Sequence, residues 1–342
     1  MIPTKTQLRR PALKTGLIYV SRSDGFFVGR RERGLLFQQD LAAAVIPLLK
    51  GRYTPPEIAL LLDQGVNLVM EIIESLESFG LLDQETPSSS GNENWPELQI
   101  TTHHSGVIDG GQAALLARSR ARIDIYGCGL IGANIARSLA AGGVGELRLS
   151  DQRSITSQHL PVSSLSSVGQ NAARDLERSL SRDYPRVTAR KIKQPALVII
   201  TRPPAPSEIL AWMNFSVSHL LIESRGDAIE IGPLVVPGKN SCLRCLTLDR
   251  LDRDPNWYTV ELCGQTDHEP PAALAQVAAG LGALAALSLL DDPDPRAHSR
   301  LADTTLRIEA SLSISSAARK RHPRCGCSWN LGGRDENEAE NR

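Results

Sequence analysis

The sequence predicts an α/β protein: a small module of three strands and three helices, then a larger domain opened by a βαβ unit and stapled by cysteines. Three observations carry this prediction. A glycine turn, Gly127-Cys128-Gly129-Leu130-Ile131-Gly132, stands between a strand pattern and a helix pattern. A polar Pro/Ser/Gly/Asn stretch, ETPSSSGNEN at 85–94, separates two differently patterned regions. Two close cysteine pairs, Cys242/Cys245 and Cys325/Cys327, lie about eighty residues apart.

In the first region, apolar or alternating runs at 16–20, 25–29 and 34–38 are separated by Ser-Asp-Gly and Arg-rich turns, the pattern of a small antiparallel sheet. Helices follow at 41–49, at 54–62 behind the Thr54-Pro55 start, and at 67–79, where Leu68, Val69, Ile72, Ile73, Leu76 and Phe79 recur at helical spacing. That order predicts a winged-helix-like module over 13–83, with a linker at 84–96. From 97 to 330 the pattern is α/β: strand 123–126, helix 133–141 and strand 146–150 open it. Further strand-like runs lie at 197–201, 219–223 and 228–231, with helices at 171–180 and 273–290. The polar tail at 331–342 is expected to be disordered.

The 342 residues carry 38 Lys+Arg against 38 Asp+Glu, so no global field draws the chain to nucleic acid or anionic lipid. Hydrophobic residues at 41% and charged residues at 22% suit a packed core. The uncharged run 270–290 is Ala/Gly-rich, so it is expected as an interior helix instead of a membrane span. The opening MIPTKTQLRRPALKTG lacks a signal-peptide core and the cysteines cluster, so a reducing cytoplasm is expected. The third helix carries Glu71, Glu74 and Glu77 and no Lys or Arg, which argues against a nucleic-acid partner.

The glycine turn predicts a Rossmann-type nucleotide loop, with Gly127, Gly129 and Gly132 at the phosphates and Asp151 at a ribose hydroxyl; the alternative is that these glycines only permit tight strand-to-helix packing. The CxxC and CxC pairs predict a closed S4 site for structural Zn²⁺ held by Cys242, Cys245, Cys325 and Cys327. Cys128 reads as a small buried residue. Cys263 has no assured histidine partner, since His268 reads as an exposed loop residue.

The run GCGLIGANIARSLAAGGVGELRLSD, with Gly142-Gly143-Val144-Gly145 before the second strand, resembles the ThiF/MoeB adenylyltransferase family. That resemblance implies ATP-dependent activation of a carboxylate by an arginine, a lysine and a Mg²⁺-binding aspartate. This chain instead has His159-Leu160-Pro161-Val162, Ala172 and Thr201-Arg202-Pro203-Pro204 at those places, with Arg153 and Arg174 as nearby cations. The loop is therefore expected to be vestigial, without ATP as a cofactor. The stretches 231–245, 248–257 and 322–327 resemble the ThiF-like proteins of thiazole/oxazole-modified peptide (bacteriocin) biosynthesis. This narrower resemblance implies a PqqD-like winged helix that binds the leader of a precursor peptide and presents it to a YcaO-type cyclodehydratase. It also implies association through the α/β domain, hence a homodimer. The leader is expected to add as a strand beside Gly34, Leu35, Leu36, Phe37 and Gln38, its apolar side chains in the groove toward the third helix, with Arg31 and Arg33 favouring acidic residues. The competing expectation is an adenylyltransferase acting on a peptide or carrier-protein C-terminus.

Overall fold

A computed structural model describes residues 9–14, 16–30, 33–83, 97, 111–187, 193–259, 268–291 and 301–327. The expected linker at 84–96, the tail at 331–342, Arg31 and Cys263 lie outside the described residues. The chain divides into two compact units, Met1–Leu116 and Ala117–Arg342.

The first unit begins with β1 (Ala12–Leu13), β2 (Ile18–Arg22), β3 (Gly25–Arg30) and β4 (Arg33–Phe37). Strands β2, β3 and β4 form an antiparallel sheet with β3 in the middle, so among the described residues β4 pairs on one edge alone. Alternation along the strands turns Phe26, Val28, Leu35 and Phe37 toward the core and leaves Leu36 exposed. Helices α1 (Asp40–Val45), α2 (Pro55–Leu61) and α3 (Val66–Ser78) follow, and β5 (Leu82–Asp83) pairs with β1. α1 is shorter than its apolar pattern because Pro47 offers no amide hydrogen, and the chain tightens into a 3₁₀ turn at Ile46–Leu48. α2 starts at a capping box, with the Thr54 amide donating to Glu57 at 2.7 Å. α3 buries Val69, Ile72, Ile73 and Leu76, the stripe its spacing predicts.

Helix α4 (Gln112–Arg120) leads into β6 (Arg122–Tyr126), α5 (Leu130–Ala141), β7 (Glu146–Ser150), α6 (Ala172–Asp183), β8 (Leu197–Ile200), α7 (Pro206–Asn214), β9 (Ser218–Arg225) and β10 (Ala228–Val235). Then come α8 (Leu243–Arg253), α9 (Ala272–Asp291), β11 (Thr304–Glu309) and β12 (Ile314–Ala318). One seven-stranded sheet runs β12-β11-β10-β9-β8-β6-β7, parallel from β7 to β9 and antiparallel beyond. Ile123, Ile125 and all of Leu197–Ile200 are buried, as parallel strands covered on both faces require. α9 is long and apolar enough to cross a membrane, yet Ala275, Ala278, Ala279, Gly282, Ala283 and Ala286 are buried in the unit's core, where it packs against α5 and the sheet. Its far end is tied down by Arg118, whose guanidinium makes two 2.6 Å contacts to the Asp291 carboxylate and donates to the Gly142 carbonyl at 3.0 Å.

The sequence pattern did not announce α7, α8, β11 or β12. α8 buries only Leu243, Cys245 and Leu246, and β12 is exposed at all five positions, so neither carries a readable apolar period.

Candidate functional site

β6 lies between β7 and β8, and the crevice at the ends of β6 and β8 is the topological switch point at which open α/β sheets receive ligands. The glycine turn follows β6 and Thr201 follows β8. The Thr201 hydroxyl lies 3.0 Å from the carbonyl oxygens of both Tyr126 and Gly127, closing the loop against the neighbouring strand. A Cβ at Gly132 would overlap the Gly127 carbonyl oxygen, so that glycine is demanded by the loop's own backbone.

Asp151 reaches this crevice from the end of β7, and its side chain is fully buried. Its carboxylate accepts from the Cys128 amide at 2.8 Å, the Arg153 amide at 3.0 Å and the Arg153 guanidinium at 2.9 Å, with Arg202 Nη1 at 3.5 Å. Burial pushes the Asp151 pKa up, but the hydrogen bonds from Arg153 and the Cys128 amide outweigh it and hold the group below the ordinary aspartate range. Both oxygens are thus engaged by the chain's own donors. Cys128 is buried, and burial raises its thiol pKa, so it is a packing residue with no nucleophilic character.

A residue the sequence did not single out completes the crevice. Glu269 accepts the Leu130 amide at 2.8 Å, at the start of α5, and its carboxylate lies 3.5 Å from Arg153 Nη1 and 3.4 Å from His159 Nε2. No motif flags it, because 139 positions separate it from Leu130. His159 and Ala172 are both buried, Arg174 is exposed on α6, and His268 is exposed beside Gln158.

The four cysteines meet in the cluster that also holds Val198, Ile200 and Trp212. Cys242 caps α8 and Cys245 lies in its first turn, while Cys325 and Cys327 arrive on the turn after His322. Sγ separations are 3.8 Å for Cys242–Cys245, 3.6 Å for Cys242–Cys325 and 3.5 Å for Cys245–Cys327, and all four sulfurs lie within 4.8 Å of one another. A tetrahedron of sulfurs bound at ~2.3 Å has edges of ~3.8 Å, so the set fits Zn²⁺ with no position left for substrate. A hydrogen bond from Cys242 holds the Cys245 thiol pKa below the ordinary thiol range against the effect of burial, with the His322 amide assisting, which suits a thiolate ligand.

In the first unit, Gly34, Leu36 and Gln38 are exposed along the outer face of β4, while Leu35 and Phe37 are half-buried and pack inward. Arg22, on the neighbouring turn, is paired with Asp24 at 2.9 Å.

No family model matches the sequence, and no curated protein matches it significantly. Solved structures do. E. coli MccB with MccA-N7isoASN superposes with a TM-score of 0.72 at 16% identity, covering 93% of this chain and 99% of that one. The microcin C7 biosynthetic enzyme MccB in complex with N-formylated MccA gives 0.71 at 16% identity over the same shares. The heterocyclase TruD gives 0.64 at 15% identity, covering 94% of this chain, which spans 43% of the length of TruD. The chain thus shares its fold with MccB over nearly its whole length, and the α/β sheet around the glycine turn agrees with the Rossmann-like domain expected there.

Proposed function

We propose that this protein binds the leader of a ribosomally made precursor peptide and presents it to a separate YcaO-type cyclodehydratase, without turning over ATP itself. The observation that carries the reading is the crevice at the ends of β6 and β8. Its aspartate is paired internally, and where the resemblance calls for arginine, lysine and aspartate stand His159-Leu160-Pro161-Val162, Ala172 and Thr201-Arg202-Pro203-Pro204. Adenylyl transfer rests on charges positioned around the phosphates, so a crevice that lacks that set and turns Arg153 onto its own Asp151 retains little of that power. A Zn²⁺ held by the four cysteines would have a structural role, joining the 322–327 segment to α8.

In this reading the first unit is a winged-helix recognition module and β4 is its docking edge. A peptide strand there gains main-chain hydrogen bonds, and Leu36 offers an apolar contact. Micromolar affinity needs about 8 kcal/mol, within reach of a short strand with a few anchors. The neighbours support a peptide partner: MccB is seen with MccA, and TruD is a heterocyclase. A cytoplasmic location, which keeps the thiols reduced, and a homodimer formed through the α/β unit complete the proposal.

The second reading, an adenylyltransferase, is favoured by Arg153 and Arg202, two cations that stand at Asp151. Two measurements separate them. Titration of labelled leader peptides should show saturable binding, and ATP–pyrophosphate exchange should be absent with and without peptide; robust exchange would sink the adaptor reading.

A further inference from the structure

We propose that Glu269 is a built-in occupant of the anion position at the start of α5, an intramolecular substitute for a phosphate that keeps phosphate-bearing ligands out of the crevice. The inference deepens the adaptor reading and rests on it for the absence of turnover. A helix start carries unsatisfied amides and the positive end of the helix dipole, and it favours an anion. In this protein the anion comes from the chain: Leu130 donates to Glu269 Oε2 at 2.8 Å, and no side chain of the capping residue Gly129 serves that amide.

The surroundings are those of a ligand more than of an ordinary cap. A Cβ at Gly129 would overlap both carboxylate oxygens of Glu269, so the close approach that this glycine permits is made to Glu269. Arg153 Nη1 stands at 3.5 Å. The His159 side chain is 5% exposed, and its Nδ1 accepts the Thr156 amide at 3.1 Å, which leaves the ring proton on Nε2. Nε2 faces Glu269 Oε1 at 3.4 Å and makes no well-formed hydrogen bond among the described residues, a buried donor aimed into the anion position. The Glu269 amide donates to the Gln158 side chain at 2.8 Å, and Pro270 and Pro271 stiffen the backbone behind it, so the carboxylate, 8% exposed, is delivered by a held segment. An entering phosphate would meet this carboxylate in the same crevice, and like charges so placed repel strongly.

The test uses the full chain as wild type, Glu269→Gln and Glu269→Ala, titrated with inorganic pyrophosphate and, separately, with ATP. Glu269→Ala should bind pyrophosphate at least ~10-fold more tightly than wild type, with Glu269→Gln in between because it keeps an acceptor for Leu130 and loses the charge. Gain of pyrophosphate binding alone means that the phosphate subsite survives without a nucleoside pocket; gain of both means that the whole site is latent. Either supports the proposal. Equal affinities in all three proteins, or no binding by folded variants, would overturn it. Gly129→Ala provides a second measure: it should lower the melting temperature of wild type and lower it less in the Glu269→Ala background, whereas equal losses would remove Gly129 from the argument. Pyrophosphate exchange by wild type would defeat the adaptor reading, while unchanged pyrophosphate affinity across the variants would defeat the Glu269 proposal alone.

Discussion

The glycine crevice and the cysteine cluster belong to the same unit and differ in what their polar groups face. At the cysteines, four sulfurs stand at the spacing of a tetrahedral ligand set. At the crevice the backbone shape persists, but its donors are turned inward on Asp151 and Glu269. The difference teaches that loop geometry and site chemistry are separable. A glycine turn can be kept for packing against a neighbouring strand, whereas a thiolate set has no comparable structural use without its metal.

The largest expected effect tests the cysteine side of this comparison. Structural zinc contributes ~10–16 kcal/mol in small peptides, comparable with a whole domain's stability. Elemental analysis of the wild-type chain should therefore find one zinc, and replacing Cys242 and Cys245 by serine should abolish it and collapse the cooperative melt. Retention of both would mean that the cluster is not a metal site. Next in size is Arg118→Ala, which leaves the Asp291 carboxylate, 3% exposed, without its partner. Removing one member of such a buried pair costs about 3–5 kcal/mol, read as a drop in the denaturation midpoint.

The first unit supplies a smaller effect. Leu36→Asp places a charge on the exposed face of β4 without touching the core, so leader affinity should fall by roughly tenfold or more while the circular dichroism spectrum and melting temperature stay unchanged. An unchanged affinity would remove β4 as the docking edge. The smallest effect is a pH dependence at the crevice. Asp151 has its folded pKa below the unfolded value, so its contribution is present at neutral pH and is lost as pH falls below the ordinary aspartate range and through the folded pKa. Asp151→Asn should flatten the acid limb of the stability profile, and an acid limb identical to that of wild type would show that the Arg153 pairing contributes nothing.

Much of this was legible in the chain. The 3.6-residue stripe of α3, the βαβ opening and the CxxC/CxC spacing are local patterns, each written within a few residues, and each appears where its spacing puts it. Glu269 and the hairpin of β11 and β12 were not legible. Glu269 acts only through a contact made across the fold, and β12 is an edge strand exposed on both faces, so no burial imposes an alternating pattern on it.

The sequence by itself determined the strand-turn-helix-strand opening of the α/β unit and which four cysteines cluster, because periodicity and cysteine spacing are one-dimensional signals of burial and coordination. Only the tertiary structure decided what fills the crevice. Charge complementarity acts over a few ångströms of space and is indifferent to the distance along the chain between Leu130, Arg153, His159 and Glu269.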